Sequence, residues 1–277
     1  MDNRIKTFIL LIALTSIAII VGNLFGTGGL IIALVFVLLM NGAAYFFSHK
    51  IVLWMYKAEP AKEREYPRLY KIVREVSAYA KIPMPKIYII PSAQPNAFAT
   101  GRNPENGIVA FTIGIINLLN DDELKGVAAH EISHIKNRDI LIQTVAAMIA
   151  GIIGFAGSMA RWSMIFGSSD DGPNLVELLV LAIVMPIVAV LIQLAISRSR
   201  EFLADESAAK IVKNPEGLAS ALLKLEKGVE KEPMALGSPT TSSLFIQNPF
   251  SSRGILKFLS THPPIEERVK KLRGMRF

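Results

Sequence analysis

His130-Glu131-Ile132-Ser133-His134 is an H-E-x-x-H run, and it holds two of the four histidines of this 277-residue chain. On a helix, residues i and i+4 lie one above the other on the same face. Both imidazoles can then reach one metal ion, most often zinc. Glu131 follows the first histidine directly, where a carboxylate can take the proton of a water polarised by that metal. The run therefore carries the residue types that hydrolysis of a peptide bond requires. The flanks predict a helix. Asn120, Asp121, Asp122 and Glu123 read as an N-cap followed by acids in the first turn, and Leu124, Val127, Ala128 and Ile132 recur at helical spacing. Gly126 is the one residue in the segment that weakens a helix.

There is no cysteine, so neither a disulfide framework nor a thiolate metal site exists. A metal here must be held by histidine and carboxylate, which suits a catalytic centre better than a structural one. The chain is 51% hydrophobic, with its apolar residues in blocks. Residues 7–48 contain no Asp, Glu, Lys or Arg. That is too long for one membrane span and suits two, 7–25 and 29–47, turning at Gly26-Thr27-Gly28. The second block follows at once without a cleavage site, which predicts a retained hairpin rather than a signal peptide. A third span is predicted from 141 to about 160, rich in small residues for close packing, and a fourth from about 178 to 196 with a kink at Pro186.

Charge sets the expected orientation. Arg4, Lys6, Lys50, Lys57, Lys136, Arg138, Arg198 and Arg200 flank the spans on one side, whereas the two short connections carry only Arg161 against Asp170 and Asp171. Both termini and the segments 50–139 and 197–277 are thus expected in the cytoplasm of a multi-pass protein of the cell membrane. The net charge of +7 fits that orientation and an anionic lipid bilayer as partner. No basic patch interleaved with aromatics points to nucleic acid. Four units follow: an N-terminal membrane hairpin (1–50), the first part of a protease domain (51–139), a second hairpin (140–196) and the second part of the domain (197–277).

Within the first polar part a helix is expected over 61–80, then strands over 86–90, 96–101 and 107–113. A small sheet beside the histidine helix has two readings. It can be purely structural, or an extended substrate can add to its edge over the metal. A third metal ligand must come from elsewhere, because Asn137 and Ile140 stand where a continuing third-histidine motif would need Gly and His. Glu201 is the leading candidate. It lies a few residues beyond span four, and at about 1.5 Å per residue an antiparallel hairpin of spans three and four brings it level with the histidine pair. Asp205 falls one turn on and suits a partner that orients a histidine ligand.

Four stretches together resemble the HtpX-type membrane zinc peptidases of the M48 family, related to Ste24 and Oma1. They are Pro95 to Gly101, His130 to His134 with Asn137 and Asp139, Ser197 to Asp205, and Ser260-Thr261-His262-Pro263-Pro264-Ile265-Glu266-Glu267-Arg268. The resemblance implies an α-helical membrane protein of four transmembrane helices carrying an α+β cytoplasmic zincin-like (gluzincin) domain. It implies one Zn2+ per chain held by His130, His134 and Glu201, with Glu131 as general base and Asp205 behind a ligand. His262 would stabilise the oxyanion, Asn96 would line the substrate edge, and Arg268 would pair with an acid. Misfolded or damaged membrane proteins would be the substrates, in stress-linked quality control. The stretch 231–252, rich in Ser, Pro and Gly, fits either a lid or a connector. Two other classes are a metal transporter, which would need ionisable residues within the spans, and a non-catalytic scaffold, which has no use for Glu131. Oligomeric state is not legible.

Overall fold

The computed structural model describes residues 26–140, 198–231, 244–246 and 263–276, with four further positions between 12 and 19. Predicted spans three and four and His262 lie outside the described residues, as does span one apart from those four positions. Span two lies within α1 (Gly26–Met55), a helix of 30 residues. Among the described residues, no helix is long and apolar enough to cross a membrane. The four-span anchor therefore remains an expectation of the sequence.

A four-stranded sheet follows α1. It comprises β1 (Glu59–Pro60), β2 (Lys86–Ile90), β3 (Ala97–Thr100) and β4 (Ile108–Thr112), in the order β1-β2-β4-β3. The central β2 and β4 are parallel, and β1 and β3 run antiparallel to their neighbours. The strands alternate with period 2. Ile87, Ile89, Ala97, Ala99, Val109 and Phe111 face one core, whereas Ile90, Phe98, Ile108 and Ala110 face the other. Both faces are covered, so the strands read as nearly unbroken apolar runs.

The larger core is filled by helices. They are α2 (Pro67–Ala80), the short α3 (Ile113–Leu118), α4 (Asp121–Lys136), α5 (Arg198–Val212), α6 (Pro215–Lys231) and α7 (Ile265–Arg273). The smaller core is closed by Val52, Leu53 and Tyr56 at the end of α1. The helix expected over 61–80 begins only at Pro67. A proline at the first helical position starts it, and the preceding residues serve β1 and a turn.

α4 carries the H-E-x-x-H run and is held on several sides, by α2, α5, α6 and β3. Its start is a capping box: Asn120 Oδ1 accepts from the Glu123 N–H, and the Glu123 carboxylate accepts from the Asn120 N–H. Glu123 also takes Ser220 and Lys224 of α6, which fixes the two helices side by side.

Candidate metal centre

All three residues proposed from sequence as ligands are buried and converge. The Nε2 atoms of His130 and His134 are 3.2 Å apart. Glu201 Oε2 lies 3.8 Å from His130 Nε2, and Glu201 Oε1 lies 3.4 Å from His134 Nε2. One ligand atom from each of the three falls within 4.8 Å of the others. Helix α4 supplies the histidines one turn apart, and the first turn of α5 supplies the carboxylate.

The far side of each imidazole is taken by a carboxylate. Asp205 Oδ1 sits 2.9 Å from His130 Nδ1, and Asp139 Oδ2 sits 3.1 Å from His134 Nδ1. In the neutral imidazole such a contact fixes the tautomer, placing the proton on Nδ1 and leaving the Nε2 lone pair toward the centre. Asp205 is in turn gripped by Arg268 of α7, whose Nε and one Nη donate to its two oxygens at 2.8 and 2.7 Å. The other Nη donates to the Ile246 carbonyl at 3.1 Å and lies 3.6 Å from Glu201 Oε2. The acid that pairs with Arg268 is therefore Asp205.

The donor set fits a zinc ion. Two neutral imidazole nitrogens and a carboxylate aimed at one point repel unless a cation or proton lies between them. The His134 pKa reflects this. Burial pulls it down, but the carboxylates of Asp139 and Glu201 outweigh burial and push it up to about 10. His130 shifts the other way, because burial outweighs the pull of Asp205.

Glu131 points to the edge of the sheet. One carboxylate oxygen accepts the Ala99 N–H of β3, and Oε1 is buried without a partner. Burial, reinforced by Glu201 and opposed by His134 and Arg268, raises its pKa to about 7. Asn96, expected at the substrate edge, is fully buried. Its Oδ1 accepts the Ala97 N–H, and its own N–H donates to Thr112 Oγ1.

Asp139 was not singled out by function in the sequence, and the reason is geometric. On an unbroken helix a residue five positions beyond His134 points away from it. Here α4 ends at Lys136 with Asn137 as its C-cap, and Arg138 takes a left-handed φ of 58°, which swings Asp139 back onto His134. The only available signal was the Asn-Arg-Asp run after the second histidine.

The chain is similar to known peptidases. The model of "Peptidase family M48" matches residues 63–276. "Protease HtpX homolog" of Syntrophobacter fumaroxidans is 50% identical, covering 99% of this chain and 100% of that protein. The protein of the same name from Pyrococcus furiosus is 50% identical over 97% of this chain and 94% of its own length. The crystal structure of S. mikatae Ste24p shares the fold, with a TM-score of 0.54 and 21% identity over 98% of this chain. This chain spans 65% of the length of that structure. With a family match over most of the chain and full-length relatives at this identity, the chain belongs to peptidase family M48 and is a metalloprotease.

Proposed function

We propose that this chain is a zinc-dependent endopeptidase, anchored in the membrane by four helices, that cleaves misfolded or damaged membrane proteins at the cytoplasmic face. One observation carries the catalytic part: the convergence of His130, His134 and Glu201 beside a buried Glu131 with an unpartnered oxygen. A bound zinc would supply Lewis-acid activation of water and of the scissile carbonyl. The protein's own residues do the rest. Asp205 and Asp139 keep Nε2 of each histidine free as a ligand atom. Arg268 holds Asp205 in place, and Glu131 Oε1 takes the proton of the attacking water. A group near pKa 7 suits that task, since at neutral pH it is about half deprotonated, able both to take the water's proton and to hand it on to the leaving amine. The membrane and cytoplasmic parts rest on the uncharged stretch 7–48 and on the asymmetry of Lys and Arg around the spans.

The test uses the full chain purified in detergent with an unfolded substrate such as casein. Chelation should stop cleavage and zinc should restore it. Glu131→Gln should keep zinc, because the ligands are intact, and lose about 10²–10⁴-fold in rate. Equal activity of mutant and wild type would sink the mechanism.

A further inference from the structure

The outer edge of β3 is already met by residues 244–246, through a single bridge rather than a full strand. Phe245 forms an antiparallel bridge with Phe98, and the Ile246 N–H donates to the Ala97 carbonyl at 3.0 Å. The Ile246 carbonyl accepts from Arg268 at 3.1 Å. These three residues lie beside the catalytic machinery. On the same edge of β3, the Ala99 N–H is held by Glu131, and Arg268 also reaches Glu201 and Asp205. Side chains alternate as on any strand. Phe245 turns into the core closed by α1, where its ring meets Tyr56 edge-on at 4.8 Å and Phe98 at 5.2 Å. Ile246 turns to the opposite core, the one that contains α4.

Building on the reading of the chain as a peptidase, we propose that residues 244–246 occupy the position that the substrate's backbone takes on β3. The substrate displaces them and inherits their contacts. Its N–H donates to Ala97 O, its carbonyl accepts from Arg268, and an aromatic side chain enters the slot between Tyr56 and Phe98. The substrate class that follows is an extended, unfolded segment with an aromatic residue at the position Phe245 now fills. Strand addition of this kind supplies affinity through the main chain and selectivity through the alternate side chain. The segment is also an internal competitor, since a site blocked by its own chain binds with an affinity reduced by the unblocked fraction. An enzyme so built acts poorly on folded proteins, which cannot offer an extended strand long enough to compete.

Two experiments on the full chain test this. In the first, Phe245→Ala removes the competitor's anchor while leaving every ligand in place. KM for an unfolded substrate with aromatic residues should fall about tenfold, with zinc content unchanged. If the segment is instead a structural strand, kcat and zinc content fall together. That result, or an unchanged KM with full zinc, overturns the proposal. In the second, the catalytically silent Glu131→Gln chain is mixed with an octapeptide of the sequence of residues 243–250, Ser-Leu-Phe-Ile-Gln-Asn-Pro-Phe. Hydrogen exchange of the amides of residues 244–246 should speed up while β3 stays protected, and a peptide with Ala in place of Phe should be far weaker. Unchanged protection at saturating peptide overturns the proposal even if Phe245→Ala fails to fold. Cleavage is not read in this second experiment, so loss of the peptidase reading itself would show only as an absence of turnover in wild type.

Discussion

Glu201 and Glu206 are five residues apart on one helix and differ in every respect that matters for metal binding. Glu201 is buried and faces both Nε2 atoms, whereas Glu206 is half exposed and pairs with Lys210 on the outer surface. A neutral amide is a far poorer zinc ligand than a carboxylate. Glu201→Gln should therefore lose zinc and activity together, and Glu206→Gln should keep both. Metal analysis of the two purified variants decides it, and zinc loss in the second would shift the register of α5. The pH dependence of zinc uptake belongs to the same centre. His134 is raised to about 10 in the metal-free protein, so near neutral pH it holds a proton that zinc must displace. The sign follows: zinc binding releases a proton below about pH 10, and affinity rises with pH up to that point, by about tenfold per unit at most. Calorimetry in buffers of different ionisation heat should report the released proton. Binding that is independent of pH between 7 and 9 would contradict the Asp139–His134–Glu201 coupling.

At the scale of elements, α4 owes its placement to a glycine. A Cβ on Gly126 would lie 2.6 Å from the Leu218 backbone nitrogen, and one on Gly217 would lie 2.6 Å from the Asp122 carbonyl oxygen. The two glycines let α4 and α6 cross backbone to backbone. Gly126→Ala raises helix propensity by about 1 kcal/mol, but it must push the helices apart, and overpacking costs about 1–3 kcal/mol. Thermal unfolding should show a net drop of a few degrees; a rise would mean that the crossing is looser than this geometry. From the sequence, Gly126 was visible only as a weak point in a helix. What was legible there was local: the N-cap at Asn120, the apolar period of α4, the bounds of β2, and the i, i+4 relation of Glu201 to Asp205. What was not legible depends on contacts between distant segments. The left-handed turn at Arg138 that returns Asp139 to His134, the packing of Phe245 against β3, and the grip of Arg268 on Asp205 leave no periodic trace in the chain.

For the whole molecule, the ligands come from both sides of a long uncharged stretch, 141–160, and its partner, 178–196. His130 and His134 precede it, Glu201 and Asp205 follow it, and they meet at 2.9 to 3.8 Å. If these segments enter a membrane, they must return to the face they left. In the proposed topology that face is the cytoplasmic one, as the positions of Lys136, Arg138, Arg198 and Arg200 predict. Helix α1 adds a second tie, because Val52, Leu53 and Tyr56 pack on the sheet directly after predicted span two. The chain contains no cysteine, so single cysteines report cleanly. A cysteine at Ser169 should react from outside the cell with a membrane-impermeant thiol reagent. One at Ser92, half exposed in the loop after β2, should react only after permeabilisation, and so should one at Ser251. An unreactive Ser169 with a protected Ser92 would indicate a re-entrant pair whose ends still meet at the metal centre. Labelling of Ser92 from outside would put the metal centre on the wrong face and refute proteolysis on the cytoplasmic side.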